Sequence, residues 1–160
     1  MGATLANWTD QIRLNRTECG GPDYWALPDK GRNLHVLVLF TDVPSTLEAL
    51  RYAASLPHAE RAPIRLLVPQ VVPYPLPLHE PAVQTSVMAR RFRTIAEQAK
   101  VETTVDIMLC RDPWQAIHHA LATPHLVVIG SRRRWWPTRE KGIAKRLRAE
   151  GHYVVLTESK

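Results

Sequence analysis

Short unbroken apolar runs alternate along this chain with stretches in which apolar residues recur at helical spacing. Leu126 to Ile129 is aliphatic and β-branched throughout, and Leu34 to Phe40 (Leu-His-Val-Leu-Val-Leu-Phe) is a similar apolar run, the pattern of parallel strands covered on both faces. Ile64 to Val68 is a third run, edged by Pro69 and resumed through Val71-Val72. Thr103 to Leu109 alternates and is rich in β-branched residues, and His152 to Leu156 is the last run. Between them the helical pattern predicts four helices. Ser45, with Glu48 at the capping-box position, opens the first, which sets Leu47, Leu50 and Ala54 on one face and is stopped by Pro57. Val87, Met88, Phe92, Ile95 and Ala96 mark the second, between Pro81 and Lys100. Asp112-Pro113 opens the third, with Trp114, Ile117 and Leu121 on its apolar face. Thr138 caps the fourth, which buries Ile143, Ala144 and Leu147 and is closed by Gly151 at C′. The order βαβαβαβαβ predicts an α/β domain: a five-stranded parallel, doubly wound sheet with helices on both faces.

Residues 1–33 show no sustained period and carry the turn signals Gly20-Gly21-Pro22 and Pro28-Asp29. They read as an N-terminal extension to one domain over 34–160. Trp8, Tyr24 and Trp25 are too costly to leave in water, so part of the extension is expected to pack on the domain or a partner. Pro73, Pro75, Pro77 and Pro81 predict a rigid extended loop after the third run.

Charge sharpens this picture. The net charge is +6, and residues 132–150 alone hold eight Lys/Arg against two Glu. The rest of the chain is neutral, so the basic character is local: either an anion-binding site or a solvated basic helix and loop. Cys19 and Cys110 form no framework, no run is long enough to span a membrane, and the N-terminus lacks signal-peptide order. A cytoplasmic chain with no membrane role is the expectation. The seven histidines have no metal-ligand spacing, and no nucleophile elbow, Walker A loop or G-x-G-x-x-G is present.

Candidate chemistry gathers after the Leu126 run. There Gly130 and Ser131 end the strand, and Arg132, Arg133, Arg134 and Arg139 precede or open a helix whose N-terminus favours anions. Ligands of open α/β sheets bind outside the carboxyl ends of strands, so a small anionic ligand is sought here first. Asp42, ending the first strand, is either a ligand-orienting carboxylate or a turn aspartate. Trp135-Trp136 beside arginines suits base stacking or apolar packing, but no nucleic-acid fold signature accompanies the pair.

Several strings resemble the universal stress protein family over Leu34 to Glu158. Leu37 to Ala53 (LVLFTDVPSTLEALRYA) is similar to its first strand and helix, and Arg111-Asp112-Pro113 to its Gly-Asp-Pro. Leu126 to Arg132 is similar to its fourth strand and phosphate loop, and Tyr153 to Leu156 to its last strand. The resemblance implies a Rossmann-like fold and a stress-response regulatory role. It also implies a homodimer through the last strand (Tyr153, Val154, Val155, Leu156) and a nucleotide site for ATP or another adenine nucleotide with Mg. That site would comprise Thr41, Asp42, Val71, Gly130, Ser131, Arg132, Arg133 and Gly142. The ATP-binding members' pattern of Gly-x-x-Gly, nine residues, then Gly-Ser or Gly-Thr is broken: Arg133 replaces the second glycine and Gly142 falls one place early. Thr41 stands where the family has its strand-end Asp, and Gln70-Val71 where it has His-Val. The expectation is therefore a non-enzymatic regulatory domain with a degenerate nucleotide site. The alternative is a nucleotide or phosphate sensor using the Gly130 to Gly142 loop.

Overall fold

The computed structural model describes the backbone of residues 12–16 and residues 36–56, 64–81, 83–121, 126–133 and 138–159. The predicted runs become strands because each buries side chains on both sides. After β1 (Ile12–Arg16), the elements run β2 (Val36–Leu39), α1 (Val43–Ser55), β3 (Ile64–Val71), α2 (Thr85–Ala99), β4 (Thr103–Cys110), α3 (Pro113–Ala120), β5 (Leu126–Arg132), α4 (Arg139–Ala149) and β6 (Tyr153–Ser159). All pairings are parallel, in the order β1-β4-β3-β2-β5-β6. The expected five-stranded sheet is β2 to β6. A sixth strand, β1, comes from the N-terminal extension and covers the outer edge of β4, with Ile12 opposite Val105.

Two apolar layers sandwich the sheet. On one face Val38, Leu66, Ile107 and Val128 pack with Leu50 and Ala53 of α1 and Phe92 and Ile95 of α2. Phe40 meets Phe92 edge to face at 4.9 Å. On the other face Leu37, Leu67, Met108 and Ile129 meet Ile117 and Leu121 at α3 and Ala144 and Leu147 of α4. Alternate residues of one strand thus feed opposite layers, and this is why the runs are largely apolar.

Several local expectations change. The N-cap of α1 is Asp42, not Ser45, because Pro44 lies in the first turn and Ser45 stands a full turn inside the cap. The buried face of α1 is Thr46, Ala49, Leu50 and Ala53, which leaves Ala54 exposed. Pro69 neither edges nor interrupts β3. Leu67 O accepts from Phe40 N, and Val72 N donates to Cys110 O, so by alternation the Pro69 nitrogen faces the β2 side of β3. There β2 has already ended, at the register Leu39 to Leu67, and no donor is missed. Gly130-Ser131 does not end β5, which continues to Arg132 because β6 pairs with it as far as Ser159. Pro57, His35, Trp135 and Trp136, and the aromatic residues of the extension, lie outside the described residues.

Candidate functional site

The strand order reverses direction between β2 and β5, so the crevice outside their carboxyl ends is the place where a doubly wound sheet holds a ligand. It is formed by the turn Phe40 to Asp42, the first turn of α1 and the end of β5. Asp42 is extended (φ −134°, ψ 167°), and its Oδ1 accepts the Ser45 N–H at 3.1 Å, satisfying one of the first-turn donors of α1. Ser45 Oγ donates to Asp42 Oδ2 at 3.0 Å, and the Thr46 N–H donates to the Asp42 carbonyl at 2.9 Å. Pro44 has no N–H to offer. The N-terminus of α1 therefore spends these donors internally.

Across the crevice, Arg132 Nε lies 3.4 Å from the same Asp42 Oδ2. Thr41 Oγ1 donates to the Gly130 carbonyl at 2.8 Å, and the Thr41 N–H to Thr46 Oγ1 at 3.2 Å. Ser45 Oγ also lies 3.1 Å from Ser159 Oγ, so the end of β6 joins the same network. Gly130 makes this closeness possible: a Cβ there would stand 2.0 Å from the Ser45 carbonyl oxygen. The close approach of α1 by itself requires a glycine here.

Of the residues singled out from the sequence, Thr41, Asp42, Gly130 and Arg132 come together. Ser131 is buried beside them, in register with Glu158, and Arg133 is exposed at the crevice lip. Val71 lies at the end of β3, 40% exposed. Gly142 is inside α4, with no atom within 4 Å of a Cβ built on it, and lines a groove against α3. Glycine inside a helix costs roughly 0.5–1 kcal/mol relative to alanine, and no internal contact here requires it.

That groove has a volume of about 340 Å³. Its floor is Pro113, Trp114, Ile117 and Ile143, with Arg139 and Arg146 on the α4 wall and Asp112 at the α3 end. The Arg146 guanidinium stacks 3.8 Å from the Trp114 ring centroid. Sequence reasoning took Trp114 for core and did not find Arg146, because nothing in a sequence announces a contact between two separate helices. It also missed the capping role of Asp42, although Pro44 two residues later signals a first turn. Arg111, standing where the resembling family has glycine, was missed as well. It donates to the Val72 carbonyl at 2.6 Å and the Leu76 carbonyl at 2.7 Å, and its guanidinium lies 4.2 Å from the Tyr74 ring centroid. Among the described residues no group of three or more His, Cys, Asp or Glu is placed to hold a metal ion.

These features define a parallel, doubly wound α/β domain whose switch-point crevice is knitted together by its own side chains. A solved structure described as a protein from the universal stress protein family from Burkholderia pseudomallei is similar to this chain. The identity is 13% and the TM-score 0.45, covering 79% of this chain and 98% of that one. No family model matches the sequence, nor does any curated protein. No helix among the described residues is long and apolar enough to cross a membrane.

Proposed function

We propose that the chain is a universal-stress-protein-like regulatory domain, non-enzymatic, with a degenerate nucleotide site closed by internal contacts. The observation that carries this reading is the Asp42 carboxylate, which serves as the α1 cap and is also faced by Arg132. The carboxylate is committed to its own helix and to Arg132, and the Ser45 amide, a first-turn donor that could face a phosphate, is already bonded to it. The family strings support the same reading, since each falls on the element it resembles: Thr41-Asp42 between β2 and α1, Asp112-Pro113 at the start of α3, Gly130-Ser131 at the end of β5.

Pairing of two copies through β6 belongs to this reading. β6 is the outermost strand, with Tyr153 72% exposed and Val154, Val155 and Leu156 half-buried, and an apolar edge is stabilised by a partner strand. Light scattering across a dilution series is expected to give the dimer mass, and a concentration-independent monomer removes the pairing.

The nucleotide question is decided by thermal unfolding with saturating Mg-ATP, with tripolyphosphate as the control for anions in general. A ligand at a hundred times its Kd adds about 2.7 kcal/mol, roughly 5–10 °C for a domain of this size. The closed crevice predicts no shift specific to ATP. The alternative reading, a nucleotide or phosphate sensor, rests on exposed Arg132 and Arg133 at the lip and predicts a shift that Arg133→Ala abolishes.

A further inference from the structure

We propose that the groove between α3 and α4 is a docking site for an acidic peptide segment of a partner protein, which inserts one aliphatic side chain beside Gly142. Three observations converge on that occupant. First, Gly142 lines the groove with open space where a side chain would stand, and among the described residues nothing requires a glycine there. It leaves room on a floor of Ile117 and Ile143, the size and chemistry of a leucine-type anchor. Second, the Trp114 face is already covered by the Arg146 guanidinium, so the space beside it suits an aliphatic group better than a stacked ring. A guanidinium stacked in this way still directs its in-plane N–H donors outward, where a carboxylate meets them two at a time.

Third, the α4 wall is cationic and unpaired. Among the described residues neither Arg139 nor Arg146 has an ion-pair partner. The single carboxylate of the groove, Asp112, lies at the opposite end and caps α3 through the Trp114 N–H at 2.9 Å. Charge complementarity thus selects acidic residues along α4, flanking the anchor. The groove is separate from the Asp42 crevice, so its test stands or falls independently of any nucleotide.

The test is fluorescence anisotropy of the full chain with a labelled peptide of alternating glutamate and leucine, beside a labelled polyglutamate of equal length. The expected result is saturable binding of the glutamate–leucine peptide, at least tenfold tighter than polyglutamate. Gly142→Leu should fill the anchor space and weaken binding by about tenfold or more, with a melting temperature equal to or above the parent's. Gly142→Ala, which adds a single methyl group, keeps the test valid if the larger variant folds poorly, and it should weaken binding severalfold while stabilising the helix. Arg139→Glu with Arg146→Glu should abolish binding. Absence of saturable binding, equal affinity for polyglutamate, or unchanged affinity in both Gly142 variants overturns the proposal, the last two by reducing the site to a basic surface.

Discussion

The carbonyl oxygen of Ser45 lies where a side chain on residue 130 would begin, 2.0 Å from a Cβ built on Gly130. No real Cβ tolerates such a distance from a backbone atom, so either β5 or the first turn of α1 must move to admit one. Overpacking of this kind costs about 1–3 kcal/mol, and more where backbone is the obstacle. Gly130→Ala is therefore expected to lower the unfolding free energy by at least that amount, read as a lower urea midpoint at unchanged slope. A variant as stable as the parent would mean that α1 gives way freely, and the crevice would then be far less rigid than its hydrogen bonds imply.

Arg111 supplies a second, local dependence. It binds two carbonyls of the loop after β3 and stacks on Tyr74, which is 80% exposed and otherwise held by little. Lysine has one ammonium in place of the planar fork and cannot make both bonds while lying flat on a ring. Arg111→Lys should leave the core strands intact and cost about 1.5–3 kcal/mol, the range for hydrogen bonds to charged groups. Limited proteolysis is expected to show faster cleavage within residues 73–81. Equal cleavage rates would mean that the prolines alone hold the loop.

The sheet was largely legible in the sequence, and physics says why. A parallel strand buried on both faces excludes polar residues, so Leu126 to Ile129 and Leu37 to Leu39 announce themselves as uninterrupted runs. β1 did not, because five residues (Ile-Arg-Leu-Asn-Arg) are too short a stretch to carry a strong period. The extent of β5 beyond Gly130 is set by its partner β6, which local signals do not contain. At the site, Asp42 and Gly130 were identifiable as positions but not as roles. Whether a carboxylate is free or serves as a cap depends on Ser45, and whether a glycine receives a phosphate or a helix depends on how closely α1 packs. Gly142 shows the limit most clearly, since the residue that the family resemblance implies as a phosphate contact lines a groove against α3 in three dimensions.

Cys110 makes stability depend on alkaline pH. Burial pushes its thiol up from 9.0 to about 11, with the Asp112 carboxylate adding to the shift. The thiol also donates to the Gln70 carbonyl at 3.6 Å, a bond that a thiolate cannot make. Because the folded pKa lies above the unfolded one, the native state holds the proton more tightly. The associated stability is complete below pH 9 and is lost as the pH rises toward 11. At about 1.4 kcal/mol per unit the loss is on the order of 2–3 kcal/mol. Urea unfolding of the parent and Cys110→Ala should differ by a constant amount below pH 9 and change relative to each other between pH 9 and 11 as the parent loses stability, and profiles that stay parallel through that range would show that the thiol does not titrate with unfolding. Aromatic disulfide reagents should reach Cys110 only after unfolding, since it is 2% exposed.

The pair Arg65–Asp106 separates two meanings of a buried ion pair. Arg65 Nε donates to Asp106 Oδ2 at 2.8 Å and its Nη2 contacts the same oxygen, whereas Asp106 Oδ1 is buried without a partner. The carboxylate is 1% exposed and the guanidinium 22%, so the acid is the group whose desolvation must be offset. Removing Arg65 alone leaves that buried carboxyl group without its partner, a change that costs about 3–5 kcal/mol in comparable pairs. Replacing both, as Arg65→Met with Asp106→Leu, removes the charge and the orphan oxygen together, and such exchanges are often neutral or stabilising by about 1–4 kcal/mol. A double-mutant cycle by urea unfolding should therefore show a severely destabilised Arg65→Met, a destabilised Asp106→Leu and a double variant at least as stable as the parent. If the double variant instead loses the sum of the two single effects, the pair contributes net stability here. The unpaired Oδ1 would then have to be offset by its surroundings rather than being a defect that apolar packing removes.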